Sequence, residues 1–553
     1  MSESPQTFAS HSDDEGSEIS RRGFLGGALA LGAALPMSRS LSKALGWPLG
    51  TTARTVQRGS SVTQRPGVLK IGQSSDFEDF DPYHNPQGDF AFYNQLYGSL
   101  LRDVDQPLEA NAVPWLATNV TSAANGMYVD ITLRPGVTFH DGTALDSNAI
   151  VANLQKVNNV VTGRDLYSVW HPILKGWKVL SPQSIRILWN APIPKELAVA
   201  ILTDWYIISP TLISQGEKAF STQADGAGAW YLSEFRPNDI TVLKQNPNFW
   251  NPALPHIGEL QYIYYPDPTS MVDALEAGSL DMAYYLPTVD VASLSSKFNI
   301  VTSPHAFTYE VLMSCKPGRP FVNLAARQAM QYLVPRQRFV QQALYGLGTV
   351  AYVHVTQDSI GWEPKFNSTY SYDPDLAKKK FQALGMLGKA PIQILQLTGE
   401  FPAIGQLAEM MADEMNAIGL NATLLPVTYS VFAERFFGSE GGDFDMMTSF
   451  MGRCDRYPTQ PAGTNAGLFP IANPLWPAGK PPASYTHAYE ELQHALTPAS
   501  QRYWALELMG ADLYYCWDIA VASFGLQYGL VHGLTNVVDS RDDFIILDGA
   551  TLT

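Results

Sequence analysis

Only three cysteines occur in the 553 residues, Cys315, Cys454 and Cys516. An odd number cannot close a full disulfide framework; one bridge remains open, and the sequence does not choose it. Charged residues are scarce as well, at 16% of the chain against the usual ~25%. With 46% hydrophobic residues, this is the composition of a folded chain able to bury a large core, not of a disordered one. Basic residues are in deficit, 36 Lys and Arg against 52 Asp and Glu, for a formal charge of -16. Such a chain offers nothing to a phosphate backbone, and nucleic acid is excluded as a principal partner. Catalytic signatures are missing too: there is no H-E-x-x-H, no G-x-S-x-G and no complete phosphate-binding loop. The pair Gly346 and Gly348 reads as a turn after a helix. What is abundant is length and aromatic surface. The chain is several domains long at ~150 residues per domain, and its 12 Trp, 26 Tyr and 25 Phe supply flat faces for packing or for small organic ligands.

The N-terminus carries Ser20-Arg21-Arg22-Gly23-Phe24-Leu25 ahead of an apolar Gly/Ala-rich run to Leu35 and Pro36. This resembles a twin-arginine signal peptide. The run is about a dozen residues against the ~20 a spanning helix needs, so it reads as a signal h-region rather than an anchor. Small residues at Ser42-Lys43-Ala44 suit cleavage, with Gly32-Ala33-Ala34 competing. No cysteine precedes Cys315 to take a lipid, and no later apolar run reaches spanning length. The expectation is a signal over 1–44, a linker over 45–66 and a soluble mature protein in the periplasm.

The folded part is expected from Val68, where Val68 to Gly72 suits a buried strand. Residues 128–133 alternate as a half-buried strand, and Asp146 caps a helix with Ile150, Val151, Leu154 and Val157 on one face. His140, beside Asp141-Gly142, reads as a turn residue rather than a catalyst. Asp267-Pro268 opens a helix that Gly278 closes, and Leu280 to Leu286 is predicted to be a strand. Residues 391–450 alternate between strands and helical periodicity: Ile392–Leu397, a helix through Ile404, Leu407, Met411, Met415 and Ile418 ended by Gly419, a strand over 420–427, a short helix capped by Ser430, and a strand over 444–450. That alternation predicts a parallel sheet with right-handed crossovers. The methionines on the long helix read as core packing.

The segments LYGSLLRDVD (96–105), TLRPGVTFHDGTALDSNAIVANL (132–154), MVDALEAGSLDMAYYL (271–286), ARQAMQYLVPRQRFVQQALYGLG (326–348) and YDPDLAKKKFQALG (372–385), in this order and with the 404–450 block, resemble the family 5 extracellular solute-binding proteins, the peptide- and nickel-type receptors of bacterial ABC importers. The resemblance implies an α/β, two-lobed periplasmic binding protein fold of the class II, cluster C form. It divides the chain into a first lobe over 67–107 and 228–309, an extra domain inserted over 108–227, a second lobe over 310–521 and a return to the first lobe over 522–553, with ligand enclosed between lobes. One departure is the run Gly226-Ala227-Gly228-Ala229-Trp230-Tyr231, where many relatives have Gly-Thr-Gly-Pro-Tyr. Without the proline, Trp230 is left to face either core or cleft.

Ligands of open α/β sheets sit beyond the carboxyl ends of strands, and the third strand of the 391–450 block runs into Arg453, Cys454, Asp455, Arg456 and Tyr457. In peptide-binding relatives an Asp at the place of Asp455 holds the ligand α-ammonium, and a partly buried carboxylate suits that role. Arg453 and Arg456 are alternatives in two senses: they could neutralise Asp455 internally, or receive a ligand carboxylate in bidentate geometry. Tyr83, Trp170, Trp230 and Tyr457, all in loop-like contexts, are the candidate pocket aromatics, with structural packing the competing role for each. His487, Glu491 and His494 share a helical face, but the opposite face is apolar, so they read as a solvated surface rather than a metal site. The expected function is a non-enzymatic receptor without cofactor, monomeric, which captures a peptide-like solute and delivers it to an inner-membrane permease. A receptor for an opine, an oligosaccharide or a metal chelate, or an enzyme exported folded, are the alternatives.

Overall fold

The computed structural model describes residues 67–74, 76–77, 79–84, 90–103, 112–303, 307–357, 359–398, 402–428, 431, 435, 444–451, 481–540 and 544–553. The twin-arginine segment, the linker and most of the helix expected after Ser430 lie outside them. No helix among the described residues is long and apolar enough to cross a membrane.

Among the described residues, three sheets of four or more strands organise the fold. The first has seven strands in the order Asn299–Thr302, Gln527–Leu530, Met282–Ala283, Val68–Gln73, Glu259–Tyr264, Ile240–Gln245 and Trp230–Arg236. Val68–Gln73, with Leu69 and Ile71 buried, lies at the centre and runs parallel to both neighbours. The helix Pro268–Glu276 supports this sheet through Met271 and Leu275. It starts where the sequence signals it, with the Asp267 carboxylate accepting from the Thr269 amide at 3.1 Å, and a positive φ of 73° at Gly278 follows its end. The strand expected over 280–286 is shorter than predicted. Only Met282–Ala283 pairs regularly, because Tyr285 adopts φ 63° and turns the backbone out of the ladder.

The small sheet, Ala117–Ser122, Tyr128–Leu133, Ser184–Trp189 and Leu174–Ser181 in spatial order, is entirely antiparallel. Val129, Ile131 and Leu133 are buried as their alternation predicts. Beside this sheet lies the helix Ser147–Val157, whose first amides are capped by Asp146 and whose Ile150, Leu154 and Val157 face inward.

The third sheet has six strands in the order Gly348–Val350, Asp518–Phe524, Phe307–Met313, Met446–Met451, Ile392–Leu397 and Ala422–Val427. The parallel trio expected of residues 391–450 is present: Ile392–Leu397 runs parallel to the strands on both sides, with the helix Pro402–Ile418 as one crossover. The remaining strands are antiparallel to their neighbours, so the sheet is mixed. The reason is topological. Phe307–Met313 enters from the first sheet and Asp518–Phe524 leaves toward it, side by side and in opposite directions. The result is an α/β, two-lobed fold with the chain crossing between the large sheets at two adjacent places.

Buried ion pairs tie distant segments together. Arg102 Nη1 lies 2.6 Å from Asp548 Oδ2, and Gln95 Nε2 donates to the Ile545 carbonyl at 2.6 Å, so the C-terminal residues are held against residues 95–102. Lys156, on the helix behind the small sheet, reaches Asp81 at 3.0 Å and Glu217 at 2.9 Å. Cys315 and Cys516 are buried free thiols. Burial pushes their pKa values up, to about 11 and about 12, which leaves both unreactive.

The Gly226–Gly228 loop is shaped by close backbone approach. Ala227 and Gly228 amides donate to the carbonyls of Tyr97 and Leu96, each at 2.9 Å, and a Cβ on Gly228 would stand 2.2 Å from the Gln95 carbonyl oxygen. Gly228→Ala should therefore destabilise the protein by about 1–3 kcal/mol, the usual cost of overpacking. The check is the urea unfolding midpoint, and an unchanged midpoint would show that the loop yields without cost.

Candidate functional site

The site follows from how the two large sheets are joined. At the crossover the Ser303 amide donates to the Leu526 carbonyl at 2.7 Å, and the Leu526 amide donates back to Ser303 Oγ at 2.8 Å. A Cβ on Gly525 would lie 2.0 Å from the Ser303 carbonyl oxygen, so glycine is required for the two passages to touch. Pairing then sets what lies beside them. Phe307 is opposite Phe524, and Thr308 is opposite Met451, the last residue of the third parallel strand. The carboxyl end of that strand thus opens at the boundary between the lobes.

Aromatic side chains gather on both sides of this boundary. On the second lobe, Tyr309 stacks on Phe524 with centroids 4.1 Å apart, and Phe307 and Phe450 meet edge to face at 5.5 Å. On the first lobe Tyr284, Tyr285 and Tyr528 form a cluster, with Tyr284 and Tyr285 centroids 4.0 Å apart. Phe307 and Tyr285 keep partial exposure. None of these seven was singled out from sequence, since only the strand register brings them to one boundary. The positive φ of Tyr285 has no local signature either.

Arg453, Asp455, Arg456 and Tyr457 lie outside the described residues, in the segment that begins directly after Met451. The other three candidates are in the interior. Tyr83 is fully buried, donates from its hydroxyl to Asn153 Oδ1 at 2.7 Å and accepts from Trp205 Nε1 at 2.8 Å. Trp170, 1% exposed, packs on Trp205 with centroids 4.6 Å apart. Trp230, 0% exposed, donates to the Ile257 carbonyl at 3.1 Å, so its ring faces core and not cleft. Tyr83 and Trp230 have their polar atoms satisfied inside the protein, and none of the three presents a free face to a ligand here. Their Pro/Gly-bearing surroundings suggested loops, but burial was decided by non-local packing.

His140 is a structural clamp: Nδ1 accepts from the Gly226 amide and Nε2 donates to the Gly228 carbonyl, each at 3.3 Å. Burial pushes its pKa down to about 4, so the ring stays neutral and can do both. His494 is exposed, as the helical spacing suggested, and its Nδ1 also donates to the Pro192 carbonyl at 2.7 Å. Seven residues on, Gln501 Nε2 donates to Glu196 Oε2 at 2.9 Å. These bonds join the second lobe to the end of the small-sheet unit, a contact between lobes separate from the crossover.

A solvent-open cavity of about 340 Å³ lies beside the Gly226 loop, lined by His140, Asp141, Leu212, Asp225, Tyr231 and Glu234 among others, with no residue from the third sheet. It is therefore not the space between the large sheets. Burial and the neighbouring Asp141 push the Asp225 pKa up to about 7. An unfolded Asp titrates near ~4, so between about pH 4 and 7 the folded state binds more protons and this group's contribution to stability falls as pH rises. Asp225→Asn should flatten the decline in thermal midpoint between pH 5 and pH 8; an identical decline in both proteins would show that Asp225 does not carry it.

Comparison with known proteins agrees with this architecture. Residues 111–470 match the family described as bacterial extracellular solute-binding proteins, family 5 Middle. The glutathione-binding protein GsiB of Salmonella paratyphi A is 26% identical over 340 residues, 60% of this chain and 64% of that protein's length. Among solved structures, the periplasmic binding protein AgaA of Agrobacterium tumefaciens R10 with agropinic acid superposes with a TM-score of 0.77 at 15% identity, covering 88% of this chain and 99% of that one. DppA of Helicobacter pylori in complex with the peptide STSA gives 0.77 at 14%, covering 88% and 98%. With a match over well above half its length and a two-lobed fold to accompany it, the chain belongs to the family 5 bacterial extracellular solute-binding proteins.

Proposed function

We propose that the protein is a receptor of an ABC importer that binds a peptide-like solute between its lobes in the periplasm and delivers it to an inner-membrane permease. It acts as a monomer, without cofactor, and reaches the periplasm by the twin-arginine route that Arg21 and Arg22 suggest. The observation that carries the reading is positional: the third parallel strand ends at Met451, opposite Thr308 and next to the crossover, so the segment with Asp455 starts where a ligand between the lobes would lie. The peptide or glutathione ligands named for DppA and GsiB support the choice of solute.

The chemistry assigned to the segment is ion pairing. Asp455 holds the α-ammonium of the ligand, and Arg453 or Arg456 receives a carboxylate through its paired guanidinium donors. Tyr457 adds an aromatic wall. An extended peptide needs strand-like partners for its backbone, while side chains of varied size fit pockets that aromatics and water line, which gives broad specificity. Closure requires no chemistry, only tighter binding to the closed arrangement than to the open one. On this reading the His494–Pro192 and Gln501–Glu196 bonds are assigned to the closed arrangement and help hold it.

Native mass spectrometry of protein purified from periplasm, followed by identification of the released molecule, tests the class of ligand. A set of short peptides is expected; one non-peptide compound would overturn the peptide reading. With a peptide in hand, Asp455→Asn should weaken binding by about 2–5 kcal/mol, the cost of truncating one side of a buried charge pair. Affinity within about threefold of wild type would remove Asp455 from the site. His494→Ala, away from the ligand, should lower affinity by a factor of about 2–10, as expected for one hydrogen bond of about 0.5–1.5 kcal/mol, without changing the order of preference among peptides. An unchanged affinity and an unchanged radius of gyration of the loaded protein in small-angle scattering would refute the latch.

A further inference from the structure

The second lobe contains a group of ionisable side chains that the proposed binding site does not use. Glu310 lies on Phe307–Met313, Asp518 opens the adjacent strand, His354 follows the edge strand Gly348–Val350, and Asp512 is near the end of the helix Pro498–Tyr515. Register places Glu310 opposite Ala520 and Asp518 opposite Leu312, so the two acids are diagonal neighbours on one face of the sheet. That face is opposite the one carrying Phe307 and Tyr309, because side chains alternate along a strand. All four residues are buried, with exposures of 2–4%.

Their geometry is that of metal ligands. His354 Nε2 stands 3.0 Å from Glu310 Oε2, yet neither atom has a hydrogen-bond partner, so the two are close without being aligned to bond each other. Adjacent ligands on an ion with bonds of about 2.1 Å lie at about this separation and aim at a common point rather than at each other. An Asp518 carboxylate oxygen completes a set in which all three donor atoms fall within 4.8 Å of one another. The other imidazole nitrogen, Nδ1, is 3.2 Å from Asp512 Oδ2. A carboxylate on that nitrogen fixes the tautomer that leaves Nε2 free to coordinate, the usual arrangement behind a metal-bound histidine.

The charge balance points the same way. Three carboxylates converge on a single imidazole in a dry interior, where uncompensated charge is costly. Arg336 reaches these strands through the carbonyls of Ala351 and Ala520, each at 2.9 Å, and its other donors go to Gln331, not to a carboxylate. A divalent cation would balance the acids and draw the third donor in.

We propose that Glu310, His354 and Asp518 bind one divalent first-row transition ion of the Zn²⁺ or Mn²⁺ kind, with Asp512 orienting the imidazole from outside. Mixed imidazole and carboxylate donors suit such ions better than Ca²⁺ or Mg²⁺, which favour all-oxygen sites. The ion ties two central strands to the segment after the edge strand, and through Asp512 to the long helix. It is a structural site, loaded as the lobe folds.

The test uses the untagged full-length chain, unfolded in guanidinium with a chelator and refolded with or without Zn²⁺ or Mn²⁺, then desalted. About one ion should remain per chain by elemental analysis, and the metal-refolded protein should melt at least ~3 °C above the chelator-refolded one. Glu310→Gln and His354→Gln should each lose the retained ion. Asp512→Asn keeps all three ligands and guards against variants that fail to fold; it should bind with affinity lowered by about 10–100-fold. The proposal fails if wild-type protein keeps no more metal with Zn²⁺ or Mn²⁺ than with chelator and melts at the same temperature. It fails equally if Asp512→Asn binds as tightly as wild type, or if folded His354→Gln keeps its ion.

Discussion

Everything in this fold depends on two strands of backbone crossing side by side between sheets. The chain passes from Asn299–Thr302 to Phe307–Met313 and returns from Asp518–Phe524 to Gln527–Leu530. Ser303 and Leu526 exchange hydrogen bonds at the crossing, where only glycine fits at position 525. Two passages held this closely allow rotation of one lobe against the other but little sliding, which is the geometry of a hinge. The tie also fixes register on both sides. Val301 pairs with Tyr528 in one sheet and Phe307 with Phe524 in the other, so the aromatic clusters on the two lobes face the same boundary as a consequence of a single local constraint.

Burial of charge has a different task. Arg102 and Asp548 are 446 positions apart, and Lys156 gathers acids from positions 81 and 217. Such pairs add little net stability over well-packed apolar residues, but removing one partner leaves a buried charge and costs several kcal/mol, about 3–5. Their value here is in discriminating between arrangements. The return of the C-terminal residues to the first lobe has few regular strands to define it, and the Arg102–Asp548 pair, with Arg102 also stacked 3.5 Å over Trp115, can be satisfied in one docking only. Asp81 shows the tension in such a network. Burial raises its pKa to about 6 against the pull of Lys156, so the desolvation of the acid is not fully offset.

What was legible in the sequence was local. Asp146 and Asp267 cap helices because the cap is made within three residues; the alternation of 128–133 and the strand–helix–strand of 391–427 are likewise signals of short range. What was not legible depends on residues far apart. A parallel trio does not reveal that antiparallel strands from elsewhere will complete its sheet. Tyr83, Trp170 and Trp230 looked like loop aromatics, and their burial is decided by Asn153, Trp205 and Ile257. The resemblance supplied the two-lobed architecture, which no local pattern contains. The segment after Met451 was proposed from its position in the chain, but the aromatics at the boundary were not legible, since Phe307 on one lobe and Tyr285 and Tyr528 on the other are brought to it only by the crossover. The Glu310, His354, Asp512 and Asp518 cluster is the extreme case: metal motifs are recognised by short spacings, and these four residues extend over 208 positions with no two on the same helical turn.

The strand Phe307–Met313 links these observations. One end begins at the hinge, its Phe307 and Tyr309 face contributes to the aromatic boundary, and its other face presents Glu310 to the buried cluster. A lobe that closes on a ligand transmits force through the strands at its hinge, and closure is selective only if the lobe moves as a unit. A strand anchored on one face by stacked rings and on the other by a histidine held between acids is poorly able to bend. The polar cluster is therefore well placed for stiffening the lobe at the element that most needs it, while remaining on the opposite face of the strand from the aromatic boundary. This separates two demands that would conflict at a single site: on the proposed function the boundary has to admit a solute, while the strand beneath it has to stay rigid.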